Sequence, residues 1–348
     1  MTVYCIDGEI DRMWRVTGHD WVVSLLKGSI AEERVSHAYL FTGPPNVGKG
    51  TLALNLAQAL NCLGEDKPCN ECEACRKIIA GIHPDVRMVD LHYQALLRDE
   101  TPAEQKELRI DTIRSITQEA GLRPFEGRRK VFIIQDAERL TTKAANSLLK
   151  TLEEPPPHVI LLLTASDTRL LLPTIVSRCQ VFVLRLAPAE IIEEELRLQH
   201  AVDAERAILL ARLSGGRIGW AICAARDDSI LKDREDTLRE LAALPKMGRL
   251  DRLDYAQRLV RKSDLMRETL ELLLSWWRDL LLIRGGSPET INNLDSAASL
   301  EEDAHEYDLW DIVTFVKAVR RTQRELELNV DPRLALEVLM LDLPARSN

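Results

Sequence analysis

The feature that most constrains the fold is a glycine-rich turn between a predicted strand and a predicted helix. The turn covers residues 43–51 and reads GPPNVGKGT, after an apolar run and before an amphipathic segment. Glycines let backbone N–H groups converge on phosphate oxygens, and the start of a helix adds partial positive charge. A turn that needs glycines only for its backbone is less favoured, because the Gly-x4-Gly-Lys spacing is demanding. The turn therefore predicts a nucleotide-binding loop made by Gly43, Gly48, Lys49, Gly50 and Thr51.

Short apolar runs alternate with amphipathic helical patterns from residue 37 to residue 186, which predicts a parallel α/β sheet with helices on both faces. The runs are nearly continuous in Val, Ile and Leu, as in strands that are buried on both faces. The predicted strands are residues 39–42, 86–91, 131–135, 159–164 and 180–184. Strand patterns stop after Pro188, and the remaining chain is helical. We expect an α/β domain over residues 1–186, a small helical domain over 187–237 and an all-α domain over 238–348.

The residues that would handle Mg²⁺ are altered at two places. A phosphate-binding loop requires Ser or Thr directly after the lysine, but Gly50 stands there, and Thr51 points about 100° away on a helix. Gln135 follows a buried strand where an ATPase has an aspartate, and an amide is a poor partner for a dication. Asp136 keeps one carboxylate, or serves only as a helix cap. We therefore expect a site where ATP or ADP can bind, without Mg²⁺-dependent hydrolysis.

Four of the seven cysteines lie within fourteen residues, at spacing C-x6-C-x2-C-x2-C. Four thiolates make a closed tetrahedral zinc site with no position for water or substrate, so we expect structural zinc. The segment is too short and polar to bury a core, and a metal would order it instead. Free cysteines and an iron–sulfur cluster are the alternatives, although nothing else here indicates redox chemistry. The predicted ligands are Cys62, Cys69, Cys72 and Cys75.

Charge and hydropathy exclude several classes of protein. The chain has 46 basic and 55 acidic residues, a net charge of −9, whereas autonomous polyanion binders are usually basic. Apolar runs are far shorter than the roughly 18 residues of a membrane span. The acidic N-terminus lacks the apolar core of a signal peptide. We expect a cytoplasmic protein with no membrane contact, whose nucleic-acid contacts come from a local patch or from partner chains.

Six short motifs occur in a fixed order, and the set is more specific than any one of them. They are HAYLF at 37–41, the phosphate-binding loop, the cysteine segment, GIHPD at 81–85, ANSLLKTLEEP at 145–155 and SRC at 177–179. This set resembles the bacterial clamp-loader AAA+ subunits, and its departures resemble the delta' subunits of DNA polymerase III. The resemblance is close over residues 16–186 and looser towards residues 328–337.

The resemblance implies an AAA+ domain with a zinc module at about residues 62–75, then a helical lid and a helical collar. In this family the collar joins five subunits into a ring, with the gamma or tau ATPases and with delta. The ring opens the sliding clamp and sets it on primer–template DNA. The chain would then be a component of a DNA-directed DNA polymerase holoenzyme, with little or no ATPase activity of its own.

The resemblance also assigns roles to single residues. Arg178 matches the arginine that reaches into a neighbouring subunit's ATP site, and a planar guanidinium suits phosphate oxygens. The alternative is a plain surface arginine. Thr164 matches the first sensor position. The arginine of the second sensor falls near Gly219, and Arg217 lies two residues earlier, which makes a third departure from an active ATPase.

Three hypotheses follow. The first is a catalytically quiet clamp-loader subunit that acts as scaffold and activates a neighbour. The second is an active ATPase like gamma or tau, against which Gly50 and Gln135 argue. The third is a zinc-dependent DNA-binding module without an assembly role, against which the net charge of −9 argues. We favour the first.

Overall fold

The computed structural model describes residues 13–102, 105–328 and 330–344, except the side chains of Ser263 and Asp264. Contacts divide the chain into two compact units. The first extends to Ile191 and takes in Arg217–Gly219, and the second holds the remaining residues. A helix runs unbroken over Ser229–Ala243, across residue 237, where the sequence analysis separates lid from collar. The division into three domains stays a prediction.

The first unit contains five strands, which are β1 Ala38–Thr42, β2 Val86–Val89, β3 Lys130–Ile134, β4 Val159–Ala165 and β5 Gln180–Val183. They form one parallel sheet in the order β2-β3-β4-β1-β5, which confirms the predicted α/β fold. Phe41 pairs with Thr164 on one side of β1 and with Phe182 on the other. Because the strands are parallel, their carboxyl ends share one edge of the sheet. The phosphate-binding loop and the segments after β3 and β4 therefore meet there.

Helices cover both faces of this sheet, as the alternating pattern predicts. Alternate strand residues enter different cores: Tyr39 and Phe41 lie in one buried cluster, and Leu40 lies in the other. The helices of this unit are α1 Asp20–Ala31, α2 Lys49–Asn61, α3 Glu73–Ile79, α4 Leu91–Arg98, α5 Ile110–Ala120, α6 Thr142–Glu153 and α7 Pro173–Val176.

The segment after β2 differs from the sequence prediction of a strand over residues 86–91. The strand ends at Val89, and Asp90 caps helix α4, which begins at Leu91. The Asp90 carboxylate accepts a 2.7 Å hydrogen bond from the Tyr93 N–H, which satisfies a donor at the helix start. The apolar residue Leu91 thus belongs to a helix, because the local cap outweighs the short apolar run.

All the regular secondary structure in the described residues of the second unit is helical, as predicted for the C-terminal part. Its core contains both neighbouring tryptophans, and the ring of Trp277 lies 5.0 Å from Tyr307 and 4.6 Å from Phe315. Within the described ranges, every helix is too short or too polar to cross a bilayer. The remaining helices are α8 Ala189–His200, α9 Ala204–Leu213, α10 Ile218–Arg226, α11 Ser229–Ala243, α12 Arg249–Arg261, α13 Ser263–Arg284, α14 Ala297–His305, α15 Leu309–Glu327 and α16 Pro332–Leu341.

Candidate functional site

The phosphate-binding loop connects β1 to α2 and is shaped by its glycines. Gly43 has φ 144°, and a Cβ there would lie 2.2 Å from the carbonyl oxygen of Leu184. Gly48 has φ 100° and immediately precedes α2. The Lys49 ammonium donates to the carbonyl oxygens of Gly43 at 2.6 Å and Pro44 at 2.7 Å. The loop therefore has backbone amides, a helix start and a lysine in one place, and nucleotide binding by it stays a prediction.

The two positions at which an ATPase binds Mg²⁺ lack the required groups: residue 50 has no hydroxyl, and residue 135 has no carboxylate. Gly50 is the second residue of α2 and brings no side chain, and Thr51 follows it, half-buried. Gln135 is buried after β3, and its amide donates to the sulfur of Met88 on the neighbouring strand. At the two positions where an ATPase has a hydroxyl and a carboxylate for Mg²⁺, this chain thus has Gly50, which has no side chain, and Gln135, whose amide is turned towards β2.

Asp136 and Thr164 come together at the carboxyl edge of the sheet. Asp136 has a left-handed backbone, with φ 47° and ψ 57°, and its N–H donates to the Thr164 hydroxyl at 3.1 Å. Thr164 is buried, whereas the Asp136 side chain is half-exposed and lies 3.7 Å from Arg139. The predicted first sensor therefore binds the backbone of the segment that follows β3.

Glu138 is a residue of this edge that the sequence analysis did not select. Its carboxylate accepts from the Ser166 N–H at 3.1 Å and from the Ser166 hydroxyl at 2.5 Å. This makes a second connection between the segments after β3 and β4. The only sequence signal is an acidic residue two positions after Asp136, which is too common to identify the contact.

Gly219, at the expected second sensor, lies beside the phosphate-binding loop and donates its N–H to the Asn46 carbonyl. Glycine offers no cation for a γ-phosphate. The structure thus places Gly219 next to the loop without the chemistry of a sensor arginine.

Arg178 lies on the surface just after the short helix α7, and three neighbouring groups contact its guanidinium. Its guanidinium donates to the Thr174 carbonyl at 2.9 Å and to the Ser177 hydroxyl at 3.3 Å, and it forms a 2.8 Å ion pair with Glu153. About a third of the side chain, 34%, is exposed. The next residue, Cys179, packs against the core, and burial raises the pKa of its thiol to about 12. The arrangement holds the Arg178 guanidinium in one direction and leaves about a third of the side chain at the surface.

The four clustered cysteines do converge on one point, since all their sulfur atoms lie within 4.8 Å of one another. Zn–S bonds of about 2.3 Å in a tetrahedron separate the sulfurs by about 3.8 Å, so the cluster fits a zinc ion. Cys62 and Cys75 are buried, and Cys69 and Cys72 are partly exposed. The four residues can therefore hold a metal, and its identity as zinc stays a proposal.

The electrostatics of the cluster also suit a cation. Burial raises the pKa of the Cys62 and Cys75 thiols. Burial also opposes ionisation of Cys72, but hydrogen bonds from the backbone N–H groups of Leu63 and Cys75 outweigh it and lower its pKa to about 6. Backbone N–H groups likewise point at the sulfurs of Cys62 and Cys69, at 3.3–3.4 Å. Cys72 is thus disposed to ionise without a metal, whereas the buried Cys62 and Cys75 would become thiolates only with a cation to balance their charge.

Hydrogen bonds tie the cysteine module to the α/β domain. The Trp14 indole donates to the Lys67 carbonyl at 3.1 Å, and the Asn70 amide donates to the Met13 carbonyl at 3.1 Å. Gln58, on helix α2, donates to the Asn70 side chain at 3.1 Å. The module is therefore joined both to helix α2, which follows the phosphate-binding loop, and to residues 13 and 14, which precede helix α1.

Two family models match this chain. A family model described as "DNA polymerase III, delta subunit" matches residues 18–188, and one described as "DNA polymerase III, delta subunit, C terminal" matches residues 229–344. DNA polymerase III subunit delta' of Bacillus subtilis is 30% identical over 326 residues, which cover 92% of this chain and 95% of that protein.

Two further relatives show how far the similarity extends. Subunit delta' of Haemophilus influenzae is 32% identical over 248 residues, 68% of this chain and 72% of that protein. Subunit tau of Bacillus subtilis is 28% identical over 94% of this chain, which spans only 60% of that protein's length. Because a delta' subunit at 30% identity matches over nearly the full length of both chains, this chain belongs to the DNA polymerase III delta' family of clamp-loader subunits.

Proposed function

We propose that this chain is a clamp-loader subunit that does not hydrolyse ATP itself. Its Arg178 enters the ATP site of a neighbouring ATPase subunit. Its partners are the gamma or tau ATPases and delta, in a five-subunit ring that opens the sliding clamp and sets it on primer–template DNA. The observation that carries the proposal is a contrast within one domain. Arg178 is present and accessible, whereas the chain's own Mg²⁺ side has Gly50 and Gln135.

The missing hydrolysis follows from the chemistry of the ion. Mg²⁺ needs oxygen ligands in near-octahedral geometry and bridges the phosphates whose charge builds up in the transition state. Gly50 supplies no oxygen, and the Gln135 amide is engaged with Met88. The Lys49 loop can still hold the phosphates of ATP or ADP through its backbone amides. Binding without turnover is the expected behaviour.

The role of Arg178 follows from geometry and charge. Its guanidinium is always ionised and matches phosphate oxygens with a planar set of donors. A side chain that is 34% exposed at the surface can reach across a subunit interface. A chain that has such an arginine but lacks its own Mg²⁺ ligands makes sense if the target of the arginine is the γ-phosphate bound by the next subunit.

The metal proposal is structural zinc held by Cys62, Cys69, Cys72 and Cys75. When bound, zinc cross-links a segment that has no core of its own. Four protein ligands leave no open position, so the ion takes no part in ATP chemistry.

Reconstitution tests the proposed role. The chain is mixed with the gamma or tau ATPase and delta, isolated as a complex, and assayed for loading of the clamp onto primed DNA. We expect a stable complex that loads clamps only when this chain is included. A folded chain that neither joins the ATPase nor supports loading would overturn the proposal.

The alternative is an active ATPase like gamma or tau, and the Gly-x4-Gly-Lys loop is the observation in its favour. It predicts Mg²⁺-dependent turnover by the isolated chain.

A further inference from the structure

Helix α6 ends in two carboxylates, which is an unfavourable place for negative charge. Glu153 is its last residue, and Glu154 follows as the cap. The carbonyl groups at a helix C-terminus already carry partial negative charge, so acidic side chains there are disfavoured. Glu153 has a compensating cation, because its carboxylate lies 2.8 Å from the Arg178 guanidinium. Glu154 forms no such ion pair within the described chain.

The guanidinium of Arg178 is held from two helices. Oxygen atoms of Thr174 and Ser177, in and after α7, accept from Nη1 at 2.9 and 3.3 Å, and Glu153 of α6 lies against Nη2. Helix α7 is itself anchored, because Ile175 is buried in the core next to α6. The side chain of Arg178 therefore has a defined direction rather than a free choice of rotamers.

We infer that Glu153 is a positioning residue that orders Arg178 for the ATP site of the neighbouring subunit. This inference rests on the proposed role of Arg178. A long arginine side chain loses rotamer freedom when it meets a phosphate, and a contact that orders it beforehand lowers that entropic cost. The pair is half-exposed, with 49% of the Glu153 side chain accessible. Such pairs are weak, so a γ-phosphate can still capture the guanidinium.

A double-mutant cycle in the complete clamp-loader complex tests the inference. Complexes carry Glu153→Ala, Arg178→Ala, both changes, or the control Glu154→Ala, and clamp- and DNA-stimulated ATP hydrolysis is measured. We expect Glu153→Ala to lower kcat about two- to fivefold, the range for a partly exposed ion pair. KM for ATP should stay nearly constant, because a finger acts in the transition state. Glu154→Ala should match the wild type.

The decisive comparison is the change at Glu153 in the absence of Arg178. If Glu153 acts through Arg178, its removal has no further effect in the Arg178→Ala complex. Full activity of the Glu153→Ala complex, an equal loss with Glu154→Ala, or a loss that adds to that of Arg178→Ala would overturn the inference. Glu153→Gln keeps the size and removes the charge, and it replaces the alanine variant if that one fails to assemble. If Arg178→Ala leaves ATP hydrolysis by the complex unchanged, the result refutes the proposed role of Arg178, and the role inferred for Glu153 is refuted with it.

Discussion

The backbone N–H of Gly219 donates a 2.8 Å hydrogen bond to the carbonyl oxygen of Asn46, in the middle of the phosphate-binding loop. A Cβ at residue 219 would lie 3.0 Å from the same oxygen, closer than Cβ atoms normally approach. Asn46 itself has a left-handed backbone, with φ 59°. Backbone thus meets backbone near the position predicted for the arginine of the second sensor.

This contact predicts a stability effect at Gly219. Gly219→Ala should lower the free energy of unfolding by about 1–3 kcal/mol, because the added methyl group presses on a fixed carbonyl. Gly28→Ala is the control, since Gly28 lies in helix α1 with no atom within 4 Å of the added Cβ. That change should stabilise by about 0.5–1 kcal/mol. Urea denaturation measures both, and equal effects at the two sites would contradict the account.

The zinc proposal predicts one equivalent of zinc per chain, measured by elemental analysis. Cys72→Ser should reduce zinc content and speed hydrogen exchange in residues 62–79, while the sheet stays protected, because the binding energy is local to the module. Weaker protection near Trp14 should accompany it, since the indole bonds to the module. Iron in the protein, or four thiols that titrate freely under native conditions, would refute the zinc site.

The isolated chain should show no ATP turnover at an ordinary enzyme rate, because Gly50 and Gln135 remove two handles on Mg²⁺. A coupled phosphate-release assay with excess Mg²⁺ checks this. Lys49→Ala is the control for contaminating ATPases, whose activity it would leave unchanged. Turnover that disappears with Lys49→Ala would instead favour the active gamma- or tau-like alternative.

A pH effect is predicted at Asp85, whose buried carboxylate accepts from the backbone N–H groups of Phe125, Glu126 and Gly127 at 2.7–2.9 Å. Burial opposes its ionisation, but these bonds outweigh burial and lower its pKa. Asp85→Ala should cost about 2–4 kcal/mol of stability at pH 7, since it leaves buried donors unpaired.

The sign of the pH dependence follows from the lowered pKa. The stabilisation by Asp85 is present above its unfolded pKa of about 3.9 and is lost as the pH falls through the lower folded value. The difference in unfolding free energy between wild type and Asp85→Ala should therefore shrink only below about pH 4. A difference that already shrinks between pH 7 and pH 5 would contradict the assignment.

Much of the sheet was predictable because its strands carry local signals. Residues 131–134 of β3 and 159–163 of β4 are apolar without interruption, and the glycines of the phosphate-binding loop mark the end of β1. The cysteine cluster was predictable for the same reason, as its four cysteines lie close together in the chain. The spacing of residues along the chain is enough to predict a feature when the residues that form it are close together in the sequence.

Contacts between distant residues could not be predicted in this way. Glu153 and Arg178 are 25 positions apart, and their pairing depends on how α6 and α7 pack. Glu138 and Ser166 meet only because β3 and β4 are neighbours in the sheet. Helix α4 was not predicted because the strand stops before a single cap residue, Asp90, inside the apolar run.

The central claim is that this chain has no catalytic ATP site but supplies an arginine to one. Its most direct test is steady-state ATP hydrolysis by reconstituted clamp loaders that differ only at Arg178, with clamp and primed DNA present. We predict that Arg178→Ala lowers turnover while zinc content and assembly stay intact. The loss should be smaller than the roughly 10³–10⁵ of single-site systems, because other interfaces keep their own arginines. Arg178→Lys should rescue poorly, since an ammonium lacks the planar fork. Wild-type turnover and clamp loading by the alanine complex would contradict the claim and leave Arg178 as a surface residue.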